Sequence, residues 1–160
     1  MTAARVRVAL VPPAPGSLPA DAHATAIDVL RATTTLAWAR MNGATRIEPF
    51  ADPAQALAFR DAHAGTLACG ERDGRMVPGF DLGNSPFEYT RQRVAGKTLA
   101  FASTNGSRAL LAAAHCRHRW LASFASLSAV VELLAGDGGG RDVWLVCAGK
   151  LGGFALEDAA

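Results

Sequence analysis

Four short stretches of this sequence gather the residue types that handle charged groups. Asp28, Arg31, Thr33, Thr34 and Thr35 follow the apolar run ATAI; Gly70, Glu71, Arg72 and Asp73 follow TLAC. Ser103, Thr104, Asn105, Gly106 and Ser107 follow LAFA, and Ala148, Gly149 and Lys150 follow WLVC. Carboxylates can hold a hard divalent cation, while arginine, hydroxyls and the free N–H groups of a helix start can hold an oxyanion; phosphate chemistry usually uses both. Asp28 stands apart from the other acids because the strand around it is apolar, and a partly buried carboxylate needs a partner. Taken singly, Glu71, Asp73, Asp81, Glu88, Glu157 and Asp158 read as caps or solvated charges, and together they are available as cation ligands. The threonines have two readings. Their hydroxyls either cap a helix start that β-branched residues disfavour, or join Arg31 in an anion pocket there. STNGS, at 103–107, repeats the arrangement before a second helix.

These groups need a scaffold that brings strand ends together. RVRVALV (5–11), ATAIDV (24–29), TRIEPF (45–50), TLACG (66–70), KTLAFA (97–102), RWLASF (119–124) and DVWLVCAG (142–149) read as strands. Helical patterns run from Arg31 to Asn42, onward from Pro53 with Asp52 as its cap, and through NGSRALLAAAHC and SLSAVVELLAG; a last helix begins near FALEDAA. The alternation predicts an α/β fold, a three-layer α/β/α arrangement with a mixed, mostly parallel sheet, as a single domain over 1–160. In such sheets the ligand site lies beyond the carboxyl ends of the strands, where all four stretches fall. The irregular residues between TLACG and KTLAFA, rich in Gly, Pro, Asp and Arg, form a segment too long to be an idle connection.

The chain has 160 residues, 50% of them hydrophobic, enough for one core of ordinary size. Its formal charge of +2 is spread without a basic run, so no nucleic-acid partner is expected. No membrane partner is expected either, since the apolar runs fall short of the roughly 18 residues of a span. Three cysteines without a disulfide spacing, and an N-terminus without a signal-peptide pattern, point to a cytoplasmic protein. Other chemistries fit poorly. Cys69 and Arg75 have the spacing of a cysteine-dependent phosphatase, yet Glu71 and Asp73 between them would repel phosphate. Leu30 stands where an aspartyl-phosphate phosphatase requires a second Asp. His115, Cys116 and His118 sit where a helix ends, and a basic residue is favourable there without any metal.

DVLRATTT, GERDGRMVPGFDLGNSPFEYT, STNGSRAL and CAGKLGGFALED, in that order, resemble the 2-phosphosulfolactate phosphatase family. The resemblance implies a magnesium-dependent phosphatase acting on a small phosphorylated acid, 2-phospho-3-sulfolactate, in the route to coenzyme M. By position, Asp28, Arg31, Thr33 and Thr34 match the first family segment, and Gly70, Glu71, Arg72, Gly79, Phe80, Gly83, Asn84, Ser85 and Pro86 match the second. Thr104, Asn105, Gly106, Ala148, Gly149, Glu157 and Asp158 match the other two. Asp28, Arg31, Glu71 and Arg72 are then expected to be catalytic, with Thr33, Thr34, Asn84, Ser85, Thr104, Asn105 and Gly106 binding substrate. Charge places Mg²⁺ among Asp28, Glu71, Glu157 and Asp158. Ser126 stands where the family has Asn, and Ser107 where it has Thr. Family members run on past FALED into a further helix, strand and helix, so 1–160 is expected to lack the family's C-terminal segment. That expectation carries a second functional reading, an anion-binding remnant impaired in catalysis. An incomplete sheet would also favour association of copies into a homo-oligomer through its exposed edge.

Overall fold

ATAI, the run that leads into Asp28, lies in strand β2 (His23–Ile27), whose first four residues are buried between the strands at His118–Ala122 and Val143–Cys147. The computed structural model describes residues 5–136 and 140–160. The other strands are β1 (Val6–Ala9), β3 (Arg46–Phe50), β4 (Thr66–Arg72), β5 (Arg75–Met76), β6 (Thr98–Ala102), β7 (His118–Ala122) and β8 (Val143–Cys147). The helices are α1 (Ala32–Met41), α2 (Pro53–Ala62), α3 (Arg91–Val94), α4 (Gly106–Ala112), α5 (Leu127–Gly136) and α6 (Leu156–Ala159). No helix among the described residues is long and apolar enough to cross a membrane.

The α/β expectation holds, and every pairing is parallel except β4 with β5. The strands divide, however, between two four-stranded sheets. One has the order β1-β8-β2-β7 and the other β3-β6-β4-β5. The second sheet comes from one continuous stretch, between the β2 and β7 segments of the first. Its outer strand β3 carries Pro49, which has no N–H to extend a ladder. Along this edge an apolar-lined gap of about 360 Å³ separates Ile47 and Pro49 from Trp120 and Leu121 of β7.

Helices bind the sheets together by crossing over. α1 leaves the first sheet after β2, yet its Leu36 and Ala39 pack with Leu99, Phe101 and Tyr89 on the second. α4 leaves the second sheet after β6, yet its Ala109 and Ala112 pack with Ala24, Ala26 and Val146 on the first. Small alanines on α4 and β2 allow this close approach. α2 covers the other face of the second sheet through Ala56 against Ala68, Ala100 and Phe80. Its start is as expected: the Asp52 carboxylate accepts the Ala54 N–H at 2.9 Å, and Pro53 takes the first helical position.

The segment between β4 and β6 is more ordered than an irregular loop. Asp73 and Gly74 both have positive φ, 53° and 79°, and turn β4 back into β5 as a two-residue hairpin. A 3-10 turn at Pro86–Glu88 and the short α3 follow.

Gly70 is the position where the second sheet admits no side chain. Its φ is +126°, and a Cβ there would lie 1.8 Å from the Ala102 carbonyl oxygen on β6. Gly70→Ala is therefore expected to cost more than about 3 kcal/mol in urea denaturation. Gly74→Asn, at a left-handed turn position with open space around it, is expected to stay within about 1 kcal/mol of the parent.

Candidate active site

The strand ends of both sheets meet at a cleft of about 340 Å³ whose lining includes Asp28, Arg31, Glu71, Asn84, Thr104 and Asn105. Asp73, Gly74, Leu30, Lys150 and Leu151 complete it. The first sheet supplies Asp28, Arg31 and Lys150, and the second supplies the others named first.

Asp28, 7% exposed, closes the start of α1. Its Oδ1 accepts the Ala32 N–H at 3.1 Å, and its carbonyl oxygen accepts the Thr33 N–H at 3.0 Å. The Thr33 hydroxyl accepts the Asp28 N–H at 2.9 Å and donates toward the carbonyl oxygens of Asp28 and Ala122. The Thr34 hydroxyl donates to the Val29 carbonyl at 2.7 Å, and Thr35 points to the Asn84 carbonyl. The threonine hydroxyls thus bond backbone groups around the turn, and among the described residues none accepts an N–H of α1 itself. Thr33 and Thr34, expected to bind substrate, spend their hydroxyls on backbone and do not line the cleft. The protein's own Asp28 carboxylate occupies the position where an anion would meet this helix start. Arg31, exposed at the same turn, lines the cleft.

Glu71 ties the second sheet's loops together. Oε1 accepts the Thr104 N–H at 2.7 Å, and Oε2 accepts the Gly74 N–H at 2.7 Å and the Thr104 hydroxyl at 3.1 Å. Thr104 in turn accepts the Asp73 N–H at 3.0 Å. Arg72 is a correction. Side chains alternate along a strand, so with Glu71 facing the cleft Arg72 faces away; it donates to the Ala51 carbonyl at 2.8 Å. Ser85 only precedes the 3-10 turn and lies outside the cleft lining.

At Gly106 the two crossing helices touch. A Cβ there would lie 2.3 Å from the Ala32 Cβ and 2.6 Å from Asp28 Oδ2, so only glycine lets α4 approach this closely. Asn105 accepts the Leu151 N–H at 2.9 Å through its side-chain oxygen, linking the turn before α4 to the loop after β8. Asp158 makes the matching link within the first sheet, accepting the Val29 N–H at 2.9 Å and the Gly149 N–H at 3.0 Å.

The sequence matches the 2-phosphosulpholactate phosphatase family model over residues 13–160. The chain belongs to this family. It is 44% identical over 135 residues to the "Probable 2-phosphosulfolactate phosphatase" of Thermotoga petrophila, covering 84% of this chain and 57% of that protein. It is 47% identical over 152 residues to the protein of the same name from Synechococcus sp. (strain JA-3-3Ab), covering 94% of this chain and 61% of that one. A Thermotoga maritima relative of that name is 43% identical over 135 residues, again 84% and 57% of the two chains. The chain thus spans about six-tenths of the length of the curated relatives it matches.

Among the described residues no three His, Cys, Asp or Glu side chains are arranged to hold a metal ion. Of the four acids expected around Mg²⁺, only Asp28 and Glu71 line the cleft; Asp158 is bound to two backbone N–H groups, and Glu157 lies outside the lining. A closed cage of four carboxylates is not formed. The donor chemistry nonetheless fits a hard, largely hydrated cation. Asn84 is a buried cleft residue whose side-chain oxygen has no hydrogen-bond partner among the described residues. Asp28 is pushed up to about 6 by burial, and further by the negative charges of Asp158, Glu71 and Glu157. Magnesium needs only one or two protein carboxylates, with water and phosphate oxygens completing its shell.

The rejected chemistries stay rejected on this geometry. Cys69 is buried, and burial pushes its thiol up to about 12, far from a nucleophilic thiolate. Lys150, noted at its strand end but given no role, is the cleft residue that sequence reasoning underused; the Asp-Gly turn signal was also present at Asp73.

An Asp28 carboxyl held near 6 instead of 3.8 binds its proton more tightly folded than unfolded. Its contribution to stability is full below about pH 4 and is lost as pH rises through 6, a penalty on the order of 3 kcal/mol. Asp28→Asn keeps an oxygen for the Ala32 N–H and has no charge to bury. In chelator, the variant is expected to melt above the parent at pH 7.5, with the gap shrinking to about a third by pH 4.5. A gap independent of pH would contradict this account of Asp28.

Proposed function

We propose that this chain provides the phosphate-ester site of a metal-dependent phosphomonoesterase acting on a small phosphorylated carboxylic or sulfonic acid such as 2-phospho-3-sulfolactate. One observation carries the reading: Arg31 and Lys150 line the same cleft as Asp28 and Glu71 without an ion pair to any carboxylate among the described residues. Cations left unpaired beside acids provide a receptor for an anion. The printed names of the relatives supply the substrate class.

Asp28 would hold magnesium together with the Asn84 side-chain oxygen, in the cleft that Glu71 also lines. The ion, when bound, supplies charge neutralisation at the phosphoryl oxygens and acidity to water. Arg31 pairs with the equatorial oxygens, whose charge is redistributed as the ester bond breaks. Thr104 and Asn105 form the floor of the cleft, positioned by Glu71 and by the Leu151 N–H respectively. Gly106 keeps α4 close enough for that floor to meet Asp28. The cytoplasmic setting expected from the cysteines suits such a metabolite enzyme.

Arg31→Ala is expected to lower kcat/KM for phosphate release from 2-phospho-3-sulfolactate by about 100-fold or more. Its exposed side chain leaves stability within about 0.5 kcal/mol. Release at the parent rate would sink the assignment of Arg31. Asp28 also makes magnesium binding pH-linked. Because a proton competes for its carboxylate below about pH 6, calorimetry in buffers of different ionisation enthalpy is expected to show proton release on Mg²⁺ binding at pH 6 and almost none at pH 8.

A further inference from the structure

Resting on that anion-cleft reading, we propose that Lys150 selects substrates bearing a second anionic group, a carboxylate or sulfonate beside the phosphate ester. The two cleft cations, neither in an ion pair among the described residues, belong to different loops. Arg31 sits at the β2–α1 turn next to Asp28, whereas Lys150 follows β8 and its loop is tied to Asn105. A ligand with two separated anionic groups can satisfy both, and one with a single phosphate satisfies one.

The lysine stands on a built platform. Its N–H donates to the Gly153 carbonyl and its carbonyl accepts the Gly153 N–H, both at 2.9 Å, closing a tight turn. Gly149 before it is held by Asp158, and Leu151 after it by Asn105. Only glycine fits at the position before it: Gly149 has φ +62°, and a Cβ there would lie 2.2 Å from the Gly153 carbonyl oxygen. The base of Lys150 is therefore fixed while its four-carbon stem carries a point charge with donors in several directions. That suits a carboxylate or a sulfonate equally. Leu151 (φ 51°) lines the cleft beside it and adds an apolar wall.

Calorimetric titration of the intact chain with phosphoglycolate, which carries a carboxylate, and with ethyl phosphate, which does not, tests the proposal in Mg²⁺ buffer. The parent is expected to bind phosphoglycolate at least about tenfold more tightly, Lys150→Ala to lose most of that preference, and Lys150→Arg to retain it. An equal preference in parent and Lys150→Ala, or no preference in the parent, overturns the role of Lys150 and leaves the anion cleft standing. Failure of both probes to bind the parent overturns the cleft reading and this proposal with it. Thermal melts of the variants confirm folding, since the substituted side chain is exposed.

Discussion

A carboxylate buried at the end of β2 and turned onto the first N–H of α1 is the constraint around which this molecule is arranged. Asp28 caps the helix, its backbone is laced to Thr33, and Gly106 of the neighbouring helix is pressed against its free oxygen. Taking a charge out of water is unfavourable, and one helix N–H does not fully offset it. The strain is electrostatic rather than steric. On the proposed reading, a cation bound beside Asp28 would relieve that cost.

The neighbouring acids solve the same problem differently. Glu71 and Asp158 satisfy their oxygens with backbone and hydroxyl donors, and in doing so fasten loops from separate strands to one another. Hydrogen bonds of this kind favour the ionised form, although at Asp158 burial outweighs them and pushes the carboxyl up from its ordinary value. A buried acid at this cleft can therefore spend its oxygens as a rivet or keep one open. The number of donors pointed at it distinguishes the two, and by that measure Asp28 is the least satisfied of the three.

Much of this was legible in the chain because apolar runs and their polar terminators are local signals. The strands ahead of Asp28, Thr104 and Lys150 fall where the runs end, whereas β4 runs on past TLACG through Glu71 to Arg72; the Asp52-Pro53 helix start is as the residues dictate. The period-two alternation beside Glu71 already turns Arg72 away from the cleft, toward the Ala51 carbonyl. The threonines resisted a sequence reading for another reason: Thr33 and Thr35 find acceptors at Ala122 and Asn84, residues distant along the chain. The division into two sheets is likewise non-local, since strand neighbours are chosen by packing. Pro49 in β3 was its one visible sign.

The cleft straddles a boundary between sheets that share no ladder hydrogen bond among the described residues. Asp28 and Lys150 ride on one sheet, Glu71 and Thr104 on the other, and the crossing of α1 over α4 sets how far apart they stand. The site is in this sense a caliper whose jaws are whole sheets and whose pivot is the methyl-free surface of Gly106. A change in how the sheets pack reaches the opposed charges as a change in their separation, without altering any side chain in the cleft.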